Sequence, residues 1–505
     1  MNYATATLIV SSVSTFLLPL DFTVVSVALR DIQKEFHATF SEQQWIVNGY
    51  TMTFAALLMA GGGLADLLGR RKVFLSGLSL FTAGSLLAGA APSILWLTLG
   101  RVVQGVGAAA MFSSALALLV QEFTGRRRTT AFAVFGVASG LGAALGTFVG
   151  GLAVGLGGWR WAFLINVPVG AAMLVLGLLR TRESRDPEAT RLDLAGLVLF
   201  SGAMLLLVYA VVTAPRAGWS SPVTVAALAL SAVLLAAFVR VELRKRYPLI
   251  DLRLFTNPGF VGVCIVPVVL SFGFWGLFLT TPLYFQGVLG YSPLQAGLAM
   301  LPFAVPLFGA GPLGARLARL LSSGALLGLG QLLVGLGAAL LALAPLGSGW
   351  PEYAAGGLLG GLGTGLVNGE MSNVAIGLVP AARSGMASGI NSTARIVGMT
   401  AAFGGMGALL AAVVSHQLAA HAGHIAGVRE RLTELATGVA IGDIRGATAS
   451  LPPTARHAFH AAADSAYETG LHTAFMVSAV VAFLGAAATR LLIRPALGRE
   501  AGRDA

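Results

Sequence analysis

Cysteine and charge are what this sequence has least of. Its 505 residues include one cysteine, Cys264, inside an apolar run, so neither a disulfide framework nor a thiolate metal site can be built from this chain. Charged residues make up 10% of the total, and lysine is confined to Lys34, Lys72 and Lys245. None of the three has the Gly-Lys-Ser/Thr context of a Walker-type phosphate loop, which excludes an ATPase of that kind. So little charge, against 56% hydrophobic residues and a mean hydropathy of +0.82, lies outside the range of soluble globular domains. The N-terminus, MNYATATLIV, carries no charged segment before its apolar run, and is expected to be an uncleaved first helix rather than a signal peptide.

What is present is a succession of long apolar runs. They fall at residues 7–29, 44–65, 73–93, 95–120, 130–156, 161–180, 194–214, 222–240, 258–284, 294–315, 324–345, 353–379, 386–415 and 470–493, each about 20 residues or longer, the length that crosses a bilayer as a helix. Fourteen spans put both termini on one side. If that side is the cytoplasm, the Lys and Arg residues concentrate in the inner loops and the C-terminal tail. The net charge of +11 is then positive-inside topology in a bacterial-style inner membrane, and a nucleic-acid role is excluded.

The first run contains an acid, Asp21, within ATLIVSSVSTFLLPLDFTVVSVAL. A carboxylate there costs about 2.5–3.5 kcal/mol on insertion scales, so it needs a reason. It is expected to handle a proton or cation inside a helix bundle, with a structural hydrogen bonder as the alternative. Of the other acids, only Glu370 falls well inside a predicted span, with Arg395 in the next span as its expected partner. Glu370 is expected to be a second protonation or cation site, or one half of a fixed ion pair.

The string GGGLADLLGRRKVFLSG (61–77) has a degraded echo in GAGPLGARLARLLSSG (309–324). Such repetition implies two pseudo-symmetric bundles of six helices each, with the substrate path between them. The expected parts are an N-terminal bundle (1–181), two inserted helices with their linkers (182–256) and a C-terminal bundle (257–505). The charged linkers 180–193 and 240–255 are solvated or face anionic headgroups. Residues 416–469 form an outer loop of two helical stretches, 416–437 and 454–469. His416, His421, His424, His457, His460 and His472 lie in or beside it; without clustered acidic or cysteine ligands, a polar cap is expected there rather than a metal site.

These strings resemble the major facilitator superfamily, and within it the fourteen-span drug:proton antiporters. LDFTVVSVAL (20–29) is similar to that group's first-helix signature, departing at Ser26 and Arg30. GGGLADLLGRRK (61–72) resembles the superfamily's loop motif, which implies a conformational latch built from Gly63, Asp66, Gly69, Arg70 and Arg71. LTLGRVVQGVGAAA (97–110) resembles the motif with a buried arginine, Arg101, which would adjust the proton affinity of Asp21. GLGAALGTFVGG (140–151) resembles the antiporter motif through Gly142, Gly146, Gly150 and Gly151, with Thr147 in place of its proline. WRWAFLINVPVG (159–170), LRLFTNPGF (252–260), YFQGVLGYSPLQAGLAMLP (284–302) and PAARSGMASGINSTARIVG (380–398) are similar to further strings of the group.

The resemblance implies an all-α integral membrane protein of fourteen transmembrane helices, working without a cofactor on the proton gradient. It would export hydrophobic or cationic small molecules by alternating access as a monomer in the lipid bilayer. Asn48, Tyr50, Phe274, Trp275, Phe278, Asn368 and Arg395 are the expected cavity residues, aromatic faces being suited to lipophilic cations. The rival expectations are a dedicated exporter of one metabolite or self-made antibiotic, and a non-transporting sensor or scaffold using the outer loop. An enzyme is not expected, because no nucleophile–base or metal-ligand cluster falls within the spans.

Overall fold

The computed structural model describes residues 2–38, 40–185, 193–218, 220–245, 250–291, 293–345, 347–379, 384–422, 425, 428–440 and 442–493. No strand occurs among them. In a bilayer the backbone must satisfy its own hydrogen bonds, and the helix does so within one segment.

The chain runs through α1 (Tyr3–Phe36), α2 (Phe40–Leu68), α3 (Arg70–Gly89), α4 (Ile94–Glu122), α5 (Gly125–Gly157), the short α6 (Trp161–Leu164) and α7 (Asn166–Arg180). An inserted pair follows, α8 (Leu194–Ala217) and α9 (Pro222–Glu242), then α10 (Pro258–Leu270) and α11 (Gly276–Gly287). After these come α12 (Pro293–Ala299), α13 (Leu301–Gly309), α14 (Gly311–Leu317), α15 (Ser323–Ala342), α16 (Trp350–Gly377) and α17 (Ser384–Ala422). The chain closes with α18 (Leu432–Ala440), α19 (Ile444–Ala449) and α20 (Pro453–Leu492).

Among the described residues eleven helices are long and apolar enough to cross a membrane. The other three expected spans are helical but different in kind. Residues 130–156 lie in α5, one continuous helix of 33 residues. Residues 294–315 are divided into α12, α13 and α14, with Pro302, Pro306 and Pro312 in place to remove backbone donors. Residues 353–379 are α16, rich in glycine and carrying Asn368, Glu370 and Asn373. Between α10 and α11 a π-helical turn, Ser271–Trp275, keeps the axis continuous, a device frequent at functional positions.

Two compact units result. One comprises Met1–Ala210, Val225–Thr256 and Ala375–Thr393; the other comprises Val211–Thr224, Asn257–Val374 and Ala394–Ala505. In the first, Phe74, Phe81, Leu97, Met111, Trp159 and Phe163 are core residues. Glycine lets α3 and α4 touch backbone to backbone: a Cβ on Gly100 would lie 2.8 Å from the Ala88 nitrogen. Small residues at such seams are what bring helices together in lipid. The second unit buries Tyr284, Tyr353 and Tyr467 around α11, α16 and α20, with the Tyr284 and Tyr353 ring centroids 5.3 Å apart.

In the expected outer loop, the stretch at 454–469 is helical and continuous with the last expected span. With no proline or glycine between Pro453 and Tyr467, α20 runs unbroken from Pro453 to Leu492. Glu468, at the end of that stretch, is only 7% exposed. It accepts from the Gly347 N–H at 2.7 Å and from the Tyr284 hydroxyl at 3.2 Å. His460 Nδ1 lies 3.0 Å from Asp464 Oδ2 one turn later, and His424 falls outside the described residues.

Candidate functional site

Asp21 is fully buried on α1, and three side chains among the described residues donate to it. Arg101 of α4, also fully buried, donates from Nη1 to Asp21 Oδ2. Gln104 Nε2 donates to Asp21 Oδ1 at 2.9 Å and Asn166 Nδ2 donates to the same oxygen at 2.7 Å. Arg101 also donates from Nη1 to Gln104 Oε1 at 2.9 Å, and from Nε to the Ile46 carbonyl of α2 at 3.0 Å. Ser85 of α3 accepts from Gln104 at 2.7 Å. Five helices thus converge on one buried carboxylate, and the charge is offset where it sits.

Two polar atoms in this cluster have no partner, Arg101 Nη2 and Asn166 Oδ1. Buried groups of this kind cost free energy, so the arrangement favours one charge state without exhausting its bonding capacity. Above the guanidinium, 4.4 Å from Arg101 Cζ, lies the Tyr50 ring, and the Phe163 ring lies 5.9 Å away. Tyr50, expected in a cavity wall, is 3% exposed and belongs to this packed interior. Its hydroxyl donates to the Leu18 carbonyl at 3.4 Å.

The loop motif forms a second cluster. Arg70 bonds Asp66 at 2.9 Å, one helical turn away across the α2–α3 join. Gly69 takes φ 111°, a conformation that glycine adopts without strain, and a Cβ there would lie 2.6 Å from Glu183 Oε1. Glu183, on the chain beyond α7, accepts from the backbone N–H groups of Arg71 and Lys72 at 3.0 and 3.2 Å. A carboxylate on the first-turn amides of α3 is the interaction the helix dipole favours, about 0.3–1 kcal/mol at an exposed site. Arg71 reaches past it to Thr181 Oγ1 at 3.2 Å and the Leu178 carbonyl at 2.5 Å. Gly63 is half-buried on α2.

On α5, three of the four motif glycines face α1. A Cβ on Gly142 would overlap the Phe16 carbonyl, one on Gly146 the Thr23 hydroxyl, and one on Gly150 would come within 3.0 Å of Val24 Cα. Gly151 faces nothing within 4 Å. The side chains of Ser26, Arg30 and Thr147 lie outside the described residues.

In the second unit Glu370 accepts from Ser323 Oγ at 2.6 Å, and Arg395 is not among its partners. Arg395 instead has a buried Nε with no acceptor, while its backbone carbonyl takes the Ser271 hydroxyl at 3.3 Å. The pairing expected from sequence assumed that proximity along the bundle brings the tips together; a nearer hydroxyl holds Glu370. Phe274 is 2% exposed and stacks on Phe278 at 5.7 Å, with Trp275 edge-on to both. Asn48 and Asn368 are half-buried.

The sequence reading missed Gln104, Asn166, Ser85 and Glu183. Gln104 and Asn166 stood inside strings already singled out: Gln104 follows Arg101 by three residues, the spacing that puts both on one helix face.

The model of the Major Facilitator Superfamily matches residues 11–403. The chain is 38% identical to the Multidrug resistance protein Stp of Mycobacterium tuberculosis (strain CDC 1551 / Oshkosh), over 82% of this chain and 77% of that protein. It is 32% identical to the Tetracenomycin C resistance and export protein of Streptomyces glaucescens, over 81% and 76% of the two chains. A solved bacterial homolog of the human lysosomal transporter Spinster, inward-facing and unoccupied, superposes with a TM-score of 0.60 at 17% identity, covering 97% of each chain. The chain belongs to the major facilitator superfamily.

Proposed function

We propose that this protein exports hydrophobic or cationic drugs across a bacterial cell membrane in exchange for protons, by alternating access and as a monomer with both termini in the cytoplasm. The observation that carries the reading is the fully buried Asp21–Arg101 pair bridging α1 and α4. The efflux and resistance names of the relatives support export as its purpose.

In the mechanism, Asp21 is the proton carrier. A proton arriving at its carboxylate removes the charge that holds Arg101. The guanidinium then keeps only Gln104 Oε1 and the Ile46 carbonyl, too little for a buried cation. Rotation of the Asn166 amide presents its unpartnered Oδ1 to the new O–H of Asp21. Protonation therefore loosens α1 from α4, and deprotonation toward the cytoplasm restores the clamp. The Asp66 loop acts as the latch at the end where α3 begins. Glu370 is a second coupling site, and Arg395, Asn368, Trp275 and Phe278 contact substrate. One charge crossing 100 mV is worth about 2.3 kcal/mol, so each proton exchanged for an uncharged drug supports a gradient of roughly fiftyfold, whereas one-for-one exchange with a monovalent cation moves no net charge and draws on the pH gradient alone.

The test is drug movement in proteoliposomes under an imposed pH gradient, with ethidium as the probe. A gradient-driven flux that Asp21→Asn abolishes supports the reading; an equal flux in both proteins removes Asp21 from coupling. The second reading, a dedicated exporter of one self-made antibiotic, is favoured by the likeness to the tetracenomycin exporter. A substrate panel separates it, since a dedicated exporter moves one compound class alone.

A further inference from the structure

The inserted helices α8 and α9 form an antiparallel hairpin whose base, up to Ala210 and from Val225 onward, belongs to the first unit. Phe200 and Phe238 meet at 5.3 Å, and Ser231 Oγ donates to the Ala203 carbonyl at 2.8 Å. At the base, where α8 begins and α9 ends, two acids face each other. Asp193 caps α8, its Oδ1 accepting from the Gly196 N–H at 2.7 Å and from the Lys245 ammonium. Glu242, the last residue of α9 and 3% exposed, accepts from the Ile250 N–H at 3.0 Å through Oε2.

The remaining oxygens, Asp193 Oδ2 and Glu242 Oε1, are both buried, and among the described residues neither has a donor. They converge on one spot: a Cβ built on Gly196 would run into both. Two carboxylate oxygens cannot share a buried site while both are ionised, and one proton between them turns the repulsion into a hydrogen bond. Lys245 offsets the single remaining charge. Burial pushes Asp193 up, but the hydrogen bond a protonated Glu242 offers, with those from Lys245 and Gly196, outweighs it and holds Asp193 below its ordinary range. The proton is therefore on Glu242.

We infer that Asp193 and Glu242 form a proton-binding site, distinct from the Asp21 cluster, in which one shared proton clasps the base of the inserted hairpin to the chain that continues through Lys245 and Ile250. Among the described residues, the titratable or charged groups at the pair are each other and Lys245, and its other partners are the amides of Gly196 and Ile250. Loss of the proton leaves two negative charges against one positive charge, so the clasp loosens as pH rises. This site does not depend on the antiport reading, because the clasp responds to pH whether or not Asp21 couples transport.

The test is hydrogen–deuterium exchange of the full chain in lipid nanodiscs from about pH 5 to about pH 9, corrected for the intrinsic pH dependence of exchange. The wild type is expected to lose protection at residues 193–197 and 250–252 in one step, by tenfold or more. Glu242→Gln, whose amide N–H can donate to Asp193 while its oxygen keeps Ile250, is expected to stay protected throughout. Infrared difference spectra give an independent readout: a protonated-carboxyl band present in the wild type and absent in Glu242→Gln. A wild type with no step, a Glu242→Gln variant with the same step, or an unchanged infrared band each overturns the shared proton.

Discussion

The Asp21 carboxylate and the Arg101 guanidinium meet with neither side chain exposed to solvent. Taking two charges out of water costs several kcal/mol each, and only close pairing with full hydrogen bonding offsets it. Asp21 has that bonding through Gln104 and Asn166. Arg101 lacks it at Nη2, so the clamp is tighter on the acid than on the base.

Removing one partner strands the other. Arg101→Ala is expected to destabilise the first unit by about 3–5 kcal/mol, because Asp21 remains buried without its counter-charge. The double variant Asp21→Asn, Arg101→Gln is expected to recover most of that stability without recovering transport. Thermal unfolding in detergent checks both, the double variant lying closer to wild type than Arg101→Ala.

The Tyr50 ring lies over the guanidinium, while its hydroxyl makes only a long bond to Leu18. Tyr50→Phe should therefore be nearly silent in stability and coupling. Tyr50→Leu should cost about 0.5–2 kcal/mol of cation–π attraction, read from the same unfolding curves.

Glycines on α5 separate by facing. Gly146→Ala meets the Thr23 hydroxyl and Gly142→Ala the Phe16 carbonyl, and each is expected to cost about 1–3 kcal/mol as α1 and α5 are forced apart. Gly151→Ala, with open space around it, should be neutral or slightly stabilising. Equal effects at Gly146 and Gly151 would contradict the packing described.

At the far end of α1, Glu35 accepts from Trp159 Nε1 at 2.7 Å and pairs with Arg160 at 2.8 Å. The Trp159 hydrogen bond, then the one from Arg160, hold its carboxyl below the usual range. The sign follows: a depressed folded-state pKa gives stability that is present above the unfolded value, about 4.3, and is lost as pH falls through the folded one. With the side chain 43% exposed the effect is small. A variant retaining only Trp159 should change fluorescence below about pH 4, and Glu35→Gln should remove that transition.

Much of the helix layout was legible because a bilayer demands long apolar runs, and these show in any window of the sequence. Where the reading departed from the structure, local chemistry was the reason. Residues 294–315, expected as one span, are α12, α13 and α14 with three prolines among them, and the expected stretch 454–469 runs without a break into the last span as α20. Asp21, Arg101 and Asp66 stood out because charge in an apolar chain is conspicuous. Gln104, Asn166 and Glu183 did not, because uncharged amides and a carboxylate in a charged linker look ordinary until the fold brings them to a partner. Glu183 lies more than a hundred residues from the α3 amides it caps.

Proton-driven countertransport tests the central claim most directly. Wild-type and Asp21→Asn proteins, reconstituted in the same vesicles, would be compared for proton movement on addition of ethidium and for ethidium movement on imposing a pH gradient. The account predicts both fluxes in the wild type and neither in Asp21→Asn, with the variant still folded and still binding ethidium. Coupled fluxes of equal size in both proteins would contradict it.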